Sequence, residues 1–209
     1  MKGEANMIRI EMGAFRFAVF ALAGLLGSAL VVAQAVAWEL ETEISPPGTL
    51  EFVGKNLIMK AEGTFHEWRV VESSVDMEAL DDAFALVEVE LASLDTGIER
   101  RDDHLRDPDF FEVETYPLAM VRVHSPRPVE DETSEQPRFA VRFDVNLHGV
   151  EKTVDGEIEI ISKDPLIFEG NLTIDRMDFG VGPKPGFWSP MVPKAEIPVK
   201  FHVELQASP

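Results

Sequence analysis

The sequence contains no cysteine, and this absence excludes several kinds of chemistry. Thiol catalysis, cysteine-ligated zinc, iron–sulfur clusters and covalently attached c-type haem all need cysteine side chains. Disulfide bonds are excluded as well. The fold must therefore be stabilised by burial of apolar side chains, and a domain of more than about 100 residues can bury enough of them.

Positive charge is also scarce. The chain has 19 lysines and arginines against 38 acidic residues, which gives a formal net charge of −19 at pH 7. Such a protein repels nucleic-acid phosphates and anionic lipid headgroups. We therefore expect no nucleic-acid partner and no attachment to a membrane through net charge. The excess of one sign favours solubility.

Motifs of catalysis and metal binding are missing too. No G-x-S-x-G, no S-x-x-K and no glycine-rich phosphate loop occurs. The histidines show no H-x-H, H-x-x-x-H or H-E-x-x-H spacing. The sequence therefore predicts no metal site, no catalytic cofactor and no catalytic activity, although histidines far apart in sequence could still converge on a metal in the fold. The five histidines of the chain are His66, His104, His124, His148 and His202.

The first 37 residues have the pattern of a secretory signal peptide. Phe17 to Val32 is an apolar run without charge, preceded by Arg9 and Arg16 and followed by the A-x-A sequence of residues 35–37. The run is shorter than the ~20 residues of a spanning helix. We predict a cleaved signal peptide over residues 1–37 and one domain over residues 38–209, in the periplasm or outside the cell. An uncleaved anchor is the alternative, and the true start could be Met1, Met7 or Met12.

The rest of the chain has a period of two. From Phe139 to Leu147, every second residue is apolar, and the residues between them are mostly polar. The segments Leu166–Ile174 and Ile197–Leu205 repeat this pattern, which is typical of half-buried strands. Turn residues separate the strands. Such a chain is all-β, either a sandwich or a closed barrel. Less regular strands are predicted at Leu50–Val53, Leu57–Glu62, Trp68–Val75, Phe84–Leu94, Leu118–Ser125 and Val154–Ser162.

Helix is predicted in only one stretch, Glu99 to Val113. Within it, Asp107-Pro108 has the pattern of an N-cap followed by proline at the first helical position. The segment from Ser125 to Pro137 contains three prolines and four acidic residues, and we predict a solvated loop there.

Four stretches resemble motifs of the YceI family, also called the polyisoprenoid-binding family. The longest runs from Arg101 to Pro117 and resembles the family pattern R-D-x-H-L, F-F and Y-P with its gaps preserved. Gly63-Thr64-Phe65 resembles G-x-F. Residues 147–154 resemble L-x-G-V-x-K-x-V, and residues 176–181 resemble R-x-D-F-G-V. The four motifs occur in the family's order.

The resemblance implies an eight-stranded antiparallel lipocalin-like barrel with an apolar interior. We expect the short helical segment near residues 99–113 to act as a lid on it. It also implies a bound isoprenoid-type lipid, such as a quinone or a prenyl lipid, in a bacterial periplasm. The candidates for the apolar lining are Leu105, Phe110, Phe111, Tyr116, Met120, Phe143, Phe168, Phe179 and Trp188. The candidates for a polar entrance are Arg101, Asp102, His104 and Arg176.

Alternatives stay open at this point. The aromatic candidates could be ordinary core residues, and the polar ones could cap the helical segment and pair with one another. The barrel could be filled, and the protein would then be an interaction module whose acidic loop meets a basic partner. An enzyme acting on a barrel-bound lipid would need a titratable pair, for which His104 with Asp102 or Asp103 is the candidate. Edge strands make a homodimer another option.

Overall fold

The computed structural model describes residues 8–10, 48–56, 58–75, 80–130, 136–185 and 192–205. Within these ranges no helix is both long and apolar enough to cross a bilayer. The apolar run of the predicted signal peptide lies outside them, so the signal peptide stays a prediction. The strands are β1 (Ile8–Ile10), β2 (Gly48–Lys55), β3 (Lys60–Phe65), β4 (Trp68–Val75), β5 (Phe84–Glu90), β6 (Leu94–Asp95), β7 (Leu118–Val129), β8 (Arg138–Leu147), β9 (Val150–Lys163), β10 (Leu166–Asp175) and β11 (Glu196–Leu205).

All strands belong to one antiparallel sheet, in the order β1-β4-β5-β7-β8-β9-β10-β11-β2-β3-β6. The sheet curls into a half-barrel, which confirms the predicted lipocalin-like architecture. Its described strands number eleven rather than eight. Two of the additional strands are short: β1 extends the edge at β4, and β6 follows a 3₁₀ turn (Leu91–Ser93) after β5. That turn interrupts the alternation and lets both Leu91 and Leu94 be buried.

The inner face of the sheet is apolar because the strands alternate in sequence. In β8, five residues are buried while the residues between them are exposed or half-buried, as the period of two predicts. A tight turn joins β8 to β9. His148 (φ 53°) and Gly149 (φ 74°) both have positive φ, which suits a two-residue hairpin turn. The buried residues of β8 are Phe139, Val141, Phe143, Val145 and Leu147.

Helix α1 (Glu99–Arg106) lies within the predicted helical stretch, but Asp107 has a different role from the predicted one. Asp107 is the C-cap of α1, and turns continue from there to Thr115. Pro108 has no N–H to donate and disfavours helical geometry at the residue before it, so the helix ends here. Acidic Glu99 in the first turn and basic Arg106 in the last suit the helix dipole.

The predicted loop of residues 125–137 is shorter than expected, because β7 continues to Val129. A register shift between His124 and Arg127 marks a bulge in the pairing with β8, and Ser125 has a φ of 54° there. Pro126 is tolerated in a strand at such a bulge because no ladder hydrogen bond depends on its nitrogen. Residues 131–135 lie outside the described ranges.

Candidate functional site

A cavity of about 670 Å³ lies between the curled sheet and the segments that cross one end of it. Strand residues wall the cavity with apolar side chains on the inner face of β4, β5, β7, β8 and β11. The space is of the size that holds one small ligand. Representative wall residues are Val70, Val87, Val121, Val141, Phe143 and Phe201.

The cavity opens at one end of the half-barrel. Four lining residues are exposed to solvent, namely Lys55, Met59, His104 and Pro183. Lys55 ends β2, Met59 precedes β3, and Pro183 follows the 3₁₀ turn Arg176–Phe179 that leaves β10. The register places the end of β10 beside the start of β11, and β11 runs beside β2, so these segments meet at the same end. We call this opening the mouth.

The segment of α1 and the turns after it cover part of that end. Leu105, Phe110 and Phe111 all line the cavity, so the structure brings these three candidates together. The ring centroids of Phe111 and Phe65 of β3 are 6.3 Å apart, and those of Phe110 and His104 are 5.0 Å apart. The backbone N–H of Phe111 donates to Leu105 O at 3.0 Å, which fixes the first turn after the helix.

Two of the polar candidates hold the start of α1. Asp102 is buried and accepts hydrogen bonds from the Thr96 hydroxyl and from Thr96 N at 3.0 Å. Arg101 donates from Nε to Thr96 Oγ1 and from Nη2 to Thr96 O, both at 2.7 Å. Arg101 and Thr96 line the cavity, whereas Asp102 does not. The cluster therefore ties the helix to β6.

Arg176 is buried and lines the cavity. It binds four backbone carbonyls: Nε donates to Lys194 O at 3.0 Å, Nη1 to Val181 O at 2.5 Å, and Nη2 to Pro183 O and Pro193 O at 2.7 Å each. Burial of the guanidinium lowers its pKa below the ordinary value for arginine, since desolvation disfavours the charged form. This side chain joins the two chain segments that form one side of the mouth.

His104 is the only candidate of the polar entrance that is exposed, and its Nδ1 lies 3.6 Å from Asp107 Oδ2. The pair considered for catalysis, His104 with Asp102 or Asp103, is not among the described contacts. Another histidine lines the far end of the cavity: His124 Nε2 lies 2.9 Å from Asp144 Oδ2. No group of three acidic or histidine side chains suited to a metal ion occurs among the described residues.

The other apolar candidates have different positions. Phe143 and Phe168 line the cavity. Tyr116, Met120 and Phe179 do not: the Tyr116 ring packs on His148, Met120 is half-buried on the other face of β7 from Val121, and Phe179 is 1% exposed in the core. Trp188 lies outside the described residues.

Sequence reasoning missed most of the cavity wall and three of the four exposed residues at the mouth, Lys55, Met59 and Pro183. The wall residues of β11 and most of those of β5 follow the same alternation as β8, so the period of two is a usable signal for them. In β4 a register shift between Val70 and Glu72 breaks the alternation. Lys55 and Met59 carried no such signal. Their position at the mouth depends on the pairing of β2 with β11, which a single sequence does not reveal.

Comparisons of sequence identify relatives. A profile of the YceI-like domain matches residues 38–205. A UPF0312 protein of Photorhabdus laumondii is 30% identical over 180 residues, which covers 78% of this chain and 89% of that protein. A UPF0312 protein of Pseudomonas syringae pv. tomato is 32% identical over 137 residues, which covers 59% of this chain and 65% of the relative.

Comparisons of structure show the same fold in solved proteins. BcnA of Burkholderia cenocepacia has a TM-score of 0.66 at 23% identity, with 76% of this chain and 96% of BcnA covered. A polyisoprenoid binding domain of Saccharophagus degradans has a TM-score of 0.56 at 19% identity, with 79% and 97% covered. At these identities the likeness shows the fold alone.

Proposed function

The chain belongs to the YceI-like family, and on that premise we propose that it is a binding protein which holds a long isoprenoid-type lipid, a quinone or a prenyl lipid, inside its half-barrel. It acts by binding rather than by catalysis. The predicted signal peptide supports a location in the periplasm or outside the cell.

The observation that carries this proposal is the apolar cavity of about 670 Å³ with a mouth at one end. Burial of an apolar tail contributes about 0.8 kcal/mol for each CH₂ group and needs no special chemistry. The exposed Lys55 and His104 at the mouth suit a polar head that stays near water. A filled barrel, the alternative of an interaction module, fits this cavity poorly.

The solved domain of Saccharophagus degradans gives independent support, because it has the same fold and its description is that of a polyisoprenoid binding domain. A β-barrel of this general size can hold one small ligand in its interior. The ligand of the present chain is inferred from its own cavity together with this likeness.

Native mass spectrometry of the protein purified from its own host tests the proposal, followed by solvent extraction of bound material. We expect one adduct in the mass range of a prenyl lipid. A protein that is free of adduct, and that binds no prenyl lipid after delipidation and titration, contradicts the proposal.

Two variants of β7 locate the bound lipid. Val121 lines the cavity and its neighbour Met120 does not, although both are half-buried. Val121→Trp fills cavity space, and we expect its affinity for a soluble quinone analogue to fall at least tenfold. Met120→Trp adds similar bulk outside the cavity and should keep the affinity of the unmodified protein. Equal affinity in both variants would place the ligand elsewhere.

A further inference from the structure

The hairpin between β2 and β3 presents two adjacent apolar side chains to solvent at the mouth. Ile58 is 66% exposed and Met59 is 53% exposed, and Met59 also lines the cavity. Single exposed apolar residues are common on soluble proteins. Ile58 and Met59 are an adjacent pair, and through Met59 the apolar lining of the cavity continues to the outer surface. An apolar surface therefore leads from the interior of the half-barrel to any partner bound at the mouth.

The backbone holds this pair in place. Asn56 Oδ1 accepts hydrogen bonds from the N–H of Ile58 at 2.8 Å and from that of Met59 at 2.7 Å. Asn56 N in turn donates to Met59 O at 3.0 Å. These bonds hold the backbone of Ile58 and Met59 before any partner arrives, so little ordering entropy opposes contact through this pair.

Four lysines belong to the segments that form the mouth. Lys55 and Lys60 flank the turn, Lys194 N donates to Lys55 O at 2.6 Å, and Lys184 directly follows the mouth residue Pro183. Lys60 pairs with Glu62, and this lowers the pKa of that carboxyl. In the described part of the chain, the other three lysines have no acidic side chain within 4.0 Å. The mouth rim consists of Lys55, Ile58, Met59, Lys60, Lys184 and Lys194.

The net charge of −19 is a sum over the whole chain, whereas a surface that meets the mouth rim interacts mainly with the charges close to it. Screening limits electrostatic interaction to about 8 Å at physiological ionic strength. Strand β9 has 14 residues, and at about 3.3 Å per residue it is several times longer than this screening distance. Acidic side chains at the far end of the half-barrel are therefore screened from the mouth. Near the mouth, Asp175 and Glu196 alternate with the lining residues Ile174 and Ile197, so they point to the outer wall.

We propose that the mouth rim docks on a bilayer surface with anionic phosphate headgroups. Ile58 and Met59 enter the interfacial region, and the lysines contact lipid phosphates. Each lysine near such a surface strengthens partitioning roughly fivefold. The mouth then faces the bilayer, and a lipid passes between membrane and cavity without crossing water. The docking rests on the proposed lipid binding for its purpose, but it is measured separately.

Sedimentation with vesicles tests the docking. The probes are vesicles of equal parts phosphatidylglycerol and phosphatidylcholine, and vesicles of phosphatidylcholine alone. We expect stronger binding to the first, weakened by salt. The variant Ile58→Asp, at a residue that does not line the cavity, should bind at least tenfold less. The double variant Lys184→Gln with Lys194→Gln, also outside the cavity lining, should lose most of the preference for phosphatidylglycerol.

Ile161→Asp is the matched control, because Ile161 is 37% exposed near the opposite end of the half-barrel. It should bind vesicles as the unmodified protein does.

Binding of a soluble quinone analogue without vesicles separates the two proposals. Retained quinone binding with vesicle binding lost only in the rim variants supports docking. Docking is overturned if the unmodified protein binds no vesicles, or if the rim variants bind them unchanged, whatever the quinone result. A dimer dispersed by the rim substitutions, without vesicle binding, also overturns it.

Discussion

The ring of Tyr116 packs against the imidazole of His148, with ring centroids 4.4 Å apart and planes at 53°. His148 Nδ1 lies 3.1 Å from Phe179 O, and its Nε2 lies 3.5 Å from Glu112 Oε2. These contacts join the segment after α1 to the β8–β9 turn and to the turn after β10. Tyr116 thus anchors the cover of the cavity from outside it.

Loss of the Tyr116 ring should loosen this cover. We expect Tyr116→Ala to lower the free energy of unfolding by about 1–3 kcal/mol, as for other losses of packed side chains, and to raise the release rate of a bound quinone analogue several-fold. Denaturation in urea and stopped-flow release measure the two effects. Tyr116→Phe keeps the ring and should leave both nearly unchanged; an affinity loss in Tyr116→Phe would instead show that the hydroxyl contacts ligand.

Gly182 and Gly97 can be compared to measure the effect of an added methyl group next to the cavity. Gly182 lies against the cavity residue Phe110, and Gly97 serves as the control. Both have positive φ, 73° and 76°, where a side chain costs about 1–2 kcal/mol. A Cβ at Gly182 would lie 2.7 Å from Phe110 Cε1 and 2.9 Å from Arg176 Nη1, whereas one at Gly97 would meet nothing within 4 Å.

We therefore expect Gly97→Ala to lower the free energy of unfolding only by the cost of placing a side chain at positive φ. Gly182→Ala should lose a further 1–3 kcal/mol or so from overpacking, and it should also weaken ligand binding because Phe110 lines the cavity. Thermal unfolding and ligand titration check both. Equal losses in the two variants would mean that Phe110 and Arg176 shift without cost.

Arg176 should tolerate no replacement, even by lysine. Its planar guanidinium reaches four carbonyls in fixed directions, and an ammonium group cannot bind them all. We expect Arg176→Lys to reduce stability by about 3–5 kcal/mol, since buried polar groups would lose their partners. Arg69→Lys is the control, because Arg69 pairs with Glu88 at 2.6 Å but its side chain is 47% exposed. This variant should lower the free energy of unfolding by less than about 1 kcal/mol.

The strand pattern was readable from sequence because one wall of the sheet is buried. In β8 the burial of Phe143 and Val145 follows directly from alternation. The helix boundary was harder, because Asp107-Pro108 fits either the start of one helix or the end of another. Only the turns after Asp107 decide between these.

The candidate site shows the same division. Phe110 and Phe111 are adjacent in the predicted helical segment, and both line the cavity as predicted. Tyr116, from the same motif, lies outside it, since turn geometry rather than sequence spacing sets which way each ring points. The position of Met59 at the mouth cannot be predicted from the sequence, because it depends on pairing with strands that are distant in sequence.

The carboxyl of Asp144 gives the stability a testable pH dependence. The Thr153 hydroxyl donates to Asp144 Oδ1 at 2.6 Å and lowers the pKa of Asp144, with a smaller contribution from His124. A carboxyl whose folded pKa lies below its unfolded value of about 3.9 stabilises the fold above that value. This stabilisation is lost as the pH falls through the folded pKa.

Thr153→Val removes the donor with little change of shape, so the folded pKa of Asp144 should rise towards its ordinary value. We expect the variant to lose roughly 1 kcal/mol at pH 7 and nothing well below the folded pKa, so the two curves of unfolding free energy converge in acid. Thr153→Ser keeps a hydroxyl and should follow the unmodified protein. Curves for Thr153→Val that stay parallel to the unmodified protein across the acid range would show that the lost stability is packing or strand propensity, unconnected with the charge of Asp144.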